Sequence, residues 1–341
     1  MKINRKELLD ILDIVSPGVS NKETTIEQAT TFAFFKDRVV TYNDEISISH
    51  PIEGMEGLEG AIEAKILYPL LSKITDDTIE LTRNKNSEII IKAGKMRSGL
   101  VLQKEINLPI EEEIGEIGDW SPAPENLAEA LSFVVFAAGK GLDNPILSGV
   151  HVSSKGFVEA SDGYRIARFD LKGDLGINSF VIPASNISSL LRMKSITHLS
   201  EGMGWIHFRT EEDTVFSSRI FEEKFVNTNS WMKVEGKKLV LPDSIDDVLN
   251  RAIIFASRKS YLEEEVIFSL EKGKFSIIAE CDVAWFEEEV EAKYEGDENF
   301  SIRIAPAFLK DILKRTSACL IGSNKIKFSG TGWEYMSLLK I

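Results

Sequence analysis

Cysteine is nearly absent from the 341 residues, since Cys281 and Cys319 are the only two. No disulfide framework and no cysteine-rich metal site can be built from them. Histidine is scarce too: His50, His151, His198 and His207 show no HExxH or similar ligand spacing, so each reads as a structural side chain. No apolar run approaches the roughly 18–20 residues that a membrane helix needs. The amino-terminal MKINRKELLDILDIVSPGVS lacks the apolar stretch and the small-residue cleavage site of a secretory signal. A cytoplasmic protein without a membrane partner is expected. Positive charge is also in deficit, with 40 Lys and Arg against 54 Asp and Glu and a net charge of −14. That excludes a protein that grips nucleic acid over its whole surface, so any such role depends on where the cations sit. Catalytic motifs are missing as well: there is no GxSxG, no GxxxxGK[ST] and no GxGxxG after a strand. The expectation is a non-enzyme that needs no cofactor.

What is present is enough apolar material (43% of residues) for complete cores, and the length suits two or three domains. Two segments recur. GAIEAKILYPLL at 60–71 returns as FVIPASNISSLL at 180–191 and as IRIAPAFLKDIL at 302–313. Each copy passes from a short strand into a leucine-rich helix, with Pro183 and Pro306 where the last two helices begin. The stripe Leu8, Ile11, Leu12, Val15 has the i, i+3, i+4, i+7 spacing of an amphipathic helix. It returns as Leu127, Ala130, Leu131, Val134 and as Ile245, Val248, Leu249, Ala252, with Asn4 and Ser244 as expected N-caps. Between the helices lie β-type runs broken by Gly, Asn and Asp: FAFFKDRVVTYNDEISISH, GVHVSSKGFVEASDGYRIARFDL and EVIFSLEKGKFSIIAECDVAWFEEEVEAKY. They read as antiparallel hairpins, and Asp162-Gly163 reads as a two-residue type I′ turn. Glu111 to Asp119 and Lys233 to Lys238 read as linkers. The fold class is therefore α+β, three tandem similar domains at 1–119, 120–236 and 237–341, each with two helices packed on antiparallel sheets.

The second helices, taken as 64–75, 184–194 and 306–315, carry Lys65, Lys73, Arg192, Lys194, Lys310, Lys314 and Arg315 against the single acid Asp311. Such a bias inside an acidic chain points to a cationic surface that contacts phosphates without reading sequence. The first helices are mixed. Around Arg251 the acids precede the bases, an order that helix-dipole complementarity explains without a ligand.

These residues resemble a known family, the bacterial-type DNA sliding clamps, also called the DNA polymerase III beta subunit. The similarity rests on LSGVHVSSKGFVEASDGYRIARFDL at 147–171, EEEVEAKYEGDENFSIRIAPAFLKDIL at 287–313, KFVNTNSW at 224–231 and the tail YMSLLKI, so it covers essentially the whole chain. It implies the DNA-clamp fold and a head-to-tail homodimer, a ring encircling double-stranded DNA as a polymerase processivity factor. The implied partners are a replicative DNA polymerase, a clamp loader and other proteins bearing clamp-binding motifs. By the resemblance, DNA contacts fall on Lys22, Lys65, Lys73, Lys140, Arg192, Lys194, Arg251, Lys310, Lys314 and Arg315. The peptide groove falls on Leu147, Ser161, Gly163, Tyr164, Arg165, Ile166, Val226, Trp231, Leu338, Leu339 and Ile341. Leu100 and Leu102 would meet Ile254 and Phe255 across the dimer contact. Three features depart from the family pattern: Pro69 inside a helix, Phe225-Val226 in place of Phe-Pro, and the tail Ser337 to Ile341. They suggest a divergent, phage- or plasmid-borne member. Two alternatives stand beside this reading: a carboxylate-dependent metal hydrolase or nuclease using clusters such as Glu263–Glu265 and Glu287–Glu289, and a clamp-like decoy that binds polymerase peptides without loading.

Overall fold

The structure is a computed structural model. It describes residues 1–340 apart from 23, 55, 85–86, 141–143, 243, 259–262, 272–273 and 292–298. Ile341, one of the expected groove residues, lies outside the described residues.

The element order repeats along the chain. First come β1 (Lys2–Asn4), α1 (Arg5–Val15), β2 (Thr31–Phe34), β3 (Arg38–Tyr42), β4 (Ile46–Pro51), β5 (Gly60–Glu63), α2 (Ala64–Lys73), β6 (Thr78–Arg83), β7 (Glu88–Ala93) and β8 (Met96–Val101). A single helical turn, α3 (Ile110–Glu113), leads to β9 (Ser121–Pro122), α4 (Leu127–Val134), β10 (Gly149–Ser153), β11 (Phe157–Ser161), β12 (Arg165–Asp170), β13 (Phe180–Pro183), α5 (Ala184–Leu190), β14 (Ile196–Gly202), β15 (Trp205–Thr210) and β16 (Val215–Arg219). The third round is β17 (Lys237–Val240), α6 (Ile245–Ala256), β18 (Val266–Glu271), β19 (Lys274–Cys281), β20 (Ala284–Glu291), β21 (Phe300–Ile304), α7 (Ala307–Leu313), β22 (Ala318–Ile321), β23 (Lys325–Gly330) and β24 (Trp333–Leu338). Among the described residues no helix is long and apolar enough to cross a membrane.

The helices form where the apolar spacing predicts them. Asn4 Oδ1 accepts from the amides of Lys6 (2.9 Å) and Glu7 (3.3 Å), satisfying donors that the first turn leaves open. Leu8, Leu12 and Val15 then bury one face. Ser244 occupies the cap position of α6 but makes no capping bond, because its φ of −81° and ψ of 1° are not the extended geometry that turns a cap side chain onto the first amides. Pro69 does not break α2: the helix starts at Ala64 and closes with Ile74 N on Leu70 O at 3.2 Å, so the cost is limited to one missing donor. The second helices are shorter than their sequence suggests. α5 ends at Leu190 and α7 at Leu313, and 3₁₀-type bonds (Met193 N to Leu190 O, Arg315 N to Ile312 O, both 2.9 Å) tighten the exits. Arg192, Lys194, Lys314 and Arg315 therefore sit just past helix ends. Lys237 and Lys238 belong to β17, where Lys237 pairs with Ile321, and not to the linker.

Two compact units organise the contacts. Unit 1 comprises Met1–Ala128, Val152–Gly156 and Lys172–Lys224, and unit 2 comprises Glu129–His151, Phe157–Leu171 and Phe225–Ile341. Unit 1 holds an eight-stranded antiparallel sheet in the order β5-β2-β3-β4-β16-β15-β14-β9 and a four-stranded sheet β1-β6-β7-β8. The larger sheet is stitched at β4–β16, with Ser47 opposite Ser217. Its inward side packs Ile48, Phe208 and Phe216, all fully buried. In unit 2 a sheet runs β10-β11-β12-β24-β23-β22-β17, stitched at β12–β24 with Ile166 opposite Met336, and a four-stranded sheet runs β20-β19-β18-β21. In both large sheets the last strand of a three-stranded hairpin run pairs with the last strand of a later round. β8 and β20 are the strands in those two positions that end a sheet.

Candidate functional site

The Ser161–Arg165 turn is the best-defined feature of unit 2. Ser161 pairs with Ile166, so the loop has four residues and is not a two-residue type I′ turn. The reason is the buried Asp162 side chain. Its Oδ1 accepts from the amides of Tyr164 and Arg165 (3.0 Å each), doing the work of a tighter turn's backbone bond. Gly163 takes φ +88°, a region open to glycine. Asp162 Oδ2 accepts from Arg165 Nε at 3.0 Å. Arg165 then donates to the carbonyls of Phe136 (2.7 Å) and Ala307 (3.4 Å), with its guanidinium 5.5 Å from the Phe136 ring and 5.0 Å from the Phe308 ring. Arg165 is thus a rivet fixing the turn to two helical ends, and its donors are spent inside the protein. Tyr164 is left 43% exposed, stacked on Phe308 at 6.4 Å.

Around that turn the structure gathers most of the expected groove residues. A Cβ built on Gly163 would lie 3.8 Å from Leu147 Cδ1, an ordinary contact distance, so the leucine borders the turn. Leu338 N donates to Tyr164 O at 2.8 Å, which brings the carboxyl-terminal strand alongside. Ile166 packs with Met232 and Met336, flanked by Val234 and Leu338. Trp231 is 51% exposed, with Lys325 Nζ 5.0 Å over its ring, and Val226 is 41% exposed. Leu339 is buried and faces inward. Met232 and Val234 are not among the sequence candidates, although their i, i+2 spacing, running into the segment read as linker, is the signal of a strip with one buried side.

All ten expected DNA contacts are exposed. Four are engaged: Arg192 donates to Asp13 Oδ2 at 2.9 Å, Arg251 pairs with Glu288 at 2.6 Å, Arg315 lies 4.7 Å over the Phe133 ring, and Lys65 makes the fourth contact. Lys65 stands 3.8 Å from Glu63. Among the described residues no ion pair involves Lys22, Lys73, Lys140, Lys194, Lys310 or Lys314, so their charge is available to an outside anion.

At the expected dimer contact, Leu100 (6% exposed) and Leu102 (2%) are packed within unit 1, Leu102 against Gly60. Strand alternation sends Val101 outward instead, at 71%. In unit 2 Ile254 is 72% exposed, and Phe255 stacks on Phe286 at 5.3 Å. Three of the six carboxylates that a hydrolase would draw on are tied to cations: Glu288 to Arg251, Glu289 to Lys274 and Glu265 to Arg303. Among the described residues no group of three His, Cys, Asp or Glu side chains is placed to hold a metal ion.

No protein-family model matches the chain. The beta sliding clamp of Rickettsia bellii (strain RML369-C) is 21% identical over 345 residues, covering 94% of this chain and 91% of its own. Among solved structures, the DNA polymerase III subunit beta of Pseudomonas aeruginosa superposes with a TM-score of 0.85 at 19% identity, over 100% of this chain and 99% of that one. A sliding clamp from Pseudomonas aeruginosa bound to griselimycin gives 0.86 at 20% identity, over 100% and 99%. From end to end, the chain has the fold of the bacterial beta sliding clamps.

Proposed function

We propose that this chain is a DNA polymerase processivity clamp. Three modules, 1–119, 120–236 and 237–341, repeat one element order, and two copies of the chain close head to tail into a ring of six modules around duplex DNA. The observation that carries this is the pair of sheet edges. Within the chain, β4 pairs with β16 and β12 pairs with β24. The equivalents left over are β20, ending one four-stranded sheet, and β8, ending the other. A second copy supplies each with its missing partner, and the repeated contact closes. Charge supports the match, because exposed Lys92, Lys95 and Arg97 lie at the β7–β8 end while exposed Glu287, Glu289 and Glu291 lie along β20.

The unpaired lysines near the second helices would face the duplex and make weak, sequence-independent contacts, so the ring holds DNA by enclosure and still slides. The groove around Leu147, Gly163, Tyr164, Ile166, Val226, Trp231 and Leu338 would take a short apolar peptide from a replicative polymerase, a clamp loader or another client in the cytoplasm. The name of the Rickettsia relative supports the ring, and the Pseudomonas structure shows that a protein of this fold takes a ligand, griselimycin.

Solution mass and topology test it together. The expected particle has twice the 38.1 kDa chain mass, stays on nicked circular DNA after loading and leaves when the circle is linearised. A monomer at micromolar concentration, or equal retention on circular and linear DNA, overturns it.

A further inference from the structure

The groove reading leaves unexplained why a segment without regular structure, 225–234, keeps Trp231 half out of the protein in one defined place. The outer face of the β11–β12 hairpin supplies a reason. Glu159 and Arg168 stand opposite each other in register on the two strands. Their side chains are 3% and 14% exposed, so this is a buried pair. Arg168 donates to Glu159 Oε2 from Nε (3.1 Å) and Nη2 (2.8 Å), and its guanidinium lies 4.3 Å over the Phe157 ring. The segment docks on that pair through a buried hydroxyl: Thr228 Oγ1 donates to Glu159 Oε2 at 2.6 Å and accepts from Arg168 Nη2 at 2.7 Å. Arg168 also reaches Asn229 Oδ1 at 3.0 Å. On the other side, His151 meets Glu159 Oε1 at 3.0 Å and stacks on Phe225 at 5.2 Å.

From Thr228 the order passes to the groove wall. The carbonyl of Thr228 accepts from the amides of Trp231 (3.0 Å) and Met232 (3.1 Å), making a closed turn. Met232 then plugs into Ile166 and Met336 on the same sheet face, one row further along. The turn is pinned at both ends, and Trp231 is the side chain between the pins.

We infer that Glu159, Arg168 and Thr228 are positioning residues of the groove, a buried clasp that holds the 225–232 segment so that Trp231 and Val226 are set in place before a peptide arrives. This rests on the groove reading above and adds to it which residues, none touching the ligand, set its affinity. Ordering the wall in advance removes a cost that binding would otherwise carry, and its loss is read mainly in dissociation.

The test uses the full-length protein, Thr228→Val, which keeps the shape and removes the hydroxyl, Thr228→Ser, which restores it, and griselimycin as the probe. Thr228→Val is expected to raise the dissociation constant about tenfold, chiefly through faster dissociation, and Thr228→Ser to return it to within about twofold of the parent. Amide exchange at Trp231 and Met232 is expected to speed up in the valine variant alone, while retention on circular DNA stays unchanged. Equal affinity in the parent and Thr228→Val overturns the clasp and leaves the groove standing. Failure of the parent itself to bind overturns the groove and the clasp with it. A weakened Thr228→Val that the serine variant does not rescue overturns the hydroxyl's role.

Discussion

The two units solve one problem, covering the outer face of a sheet with a connecting segment, by opposite means. Their hairpins match closely. Asn43 Oδ1 accepts from the amides of Glu45 (3.2 Å) and Ile46 (3.0 Å), as Asp162 Oδ1 does for Tyr164 and Arg165. Asp44 takes φ +75° where Gly163 takes +88°. Counting outward from the turns, Val40, Ser49 and Val215 of unit 1 fall where Glu159, Arg168 and Glu334 fall in unit 2. Unit 1 therefore has no charge at the three positions where unit 2 builds its clasp. It relies on an apolar blanket, with Leu108 and Ile114 on Tyr42 and Trp205 and Ile106 and Ile110 at the margin, and on the neutral amide of Gln28, which holds the start of the segment through Glu105 O (2.7 Å) and Asn107 N (2.8 Å). A cavity of about 740 Å³ remains beneath, lined by Phe35, Arg38, Val40, Ser47 and Ile117 among others. Dispersion and desolvation cover a surface without specifying a position, whereas a hydrogen-bonded ion pair specifies one. Only the unit with the ionic clasp presents a half-exposed tryptophan from its segment.

The sharpest way to break this comparison is Arg168→Ala. It leaves the Glu159 carboxylate buried without its cation, which costs about 3–5 kcal/mol. Urea unfolding should show the loss in unit 2, with Arg38→Ala in unit 1 costing under about 1 kcal/mol, because the Arg38 side chain has one hydrogen bond among the described residues, to Ser49 Oγ at 2.5 Å. Equal losses would mean that the ion pair is not what distinguishes the two units.

Acid separates the units next. In unit 1 burial holds His207 down to about 4, with Nδ1 on Ser217 Oγ at 2.8 Å and Nε2 unpartnered among the described residues. His50 is also lowered, by burial first and by Arg38, against an opposing pull from Glu212. Between pH 6.5 and 4 the unfolded chain binds the His207 proton and the folded one does not, so stability falls as pH falls, by roughly 3 kcal/mol in total. In unit 2 burial pushes Glu159 up, but hydrogen bonds from His151, Thr228 and Arg168, with the Arg168 charge, outweigh it and hold the carboxyl below its usual range. Its contribution is present above the unfolded carboxylate value and is lost only as pH drops through the lowered one. Amide exchange should therefore loosen around Ile206 of unit 1 before it loosens around Val158 of unit 2.

Much of this was legible in the amino acids. The helix stripes at Leu8–Val15 and Ile245–Ala252 follow from one periodicity, and the repeat of strand-then-helix segments follows from self-similarity. The rest depends on partners distant in sequence. Nothing near Asp162 announces that its carboxylate would be buried by Arg165 and so open the turn to four residues. The junctions β4–β16 and β12–β24 pair strands some 170 residues apart, and local pattern is blind to such pairings. Leu100 and Leu102 are placed at the dimer contact by the resemblance, which matches the strand and not the side chains that face out of it. The exposed side chain is Val101, since alternation alone does not say which side is in until the opposite sheet face is known. The clasp was missed for a related reason: Glu159 and Arg168 look like a solvated cross-strand pair until Thr228, some 60 residues on, covers them.

The smallest effect expected is at an ionic contact that unit 1 does make with its segment. Arg219 pairs with Glu113 Oε2 at 2.5 Å and Asp44 Oδ1 at 3.2 Å and lies 4.7 Å over the Trp205 ring. On distance alone it rivals the Arg168 cluster. Exposure decides otherwise: these side chains are 37% (Arg219), 43% (Glu113) and 60% (Asp44) open to water, against 14% and 3% for Arg168 and Glu159. Solvated partners lose little when separated, so Arg219→Ala should cost no more than about 1 kcal/mol, part of it the cation–π contact. The loss should shrink in about 0.5 M salt, where surface charges are screened, while the Arg168→Ala loss should not. Urea titrations of both variants at low and high salt measure this directly. Losses of equal size and equal salt response would show that burial of the ion pair, and not its presence, had been overrated as the source of the difference between the two units.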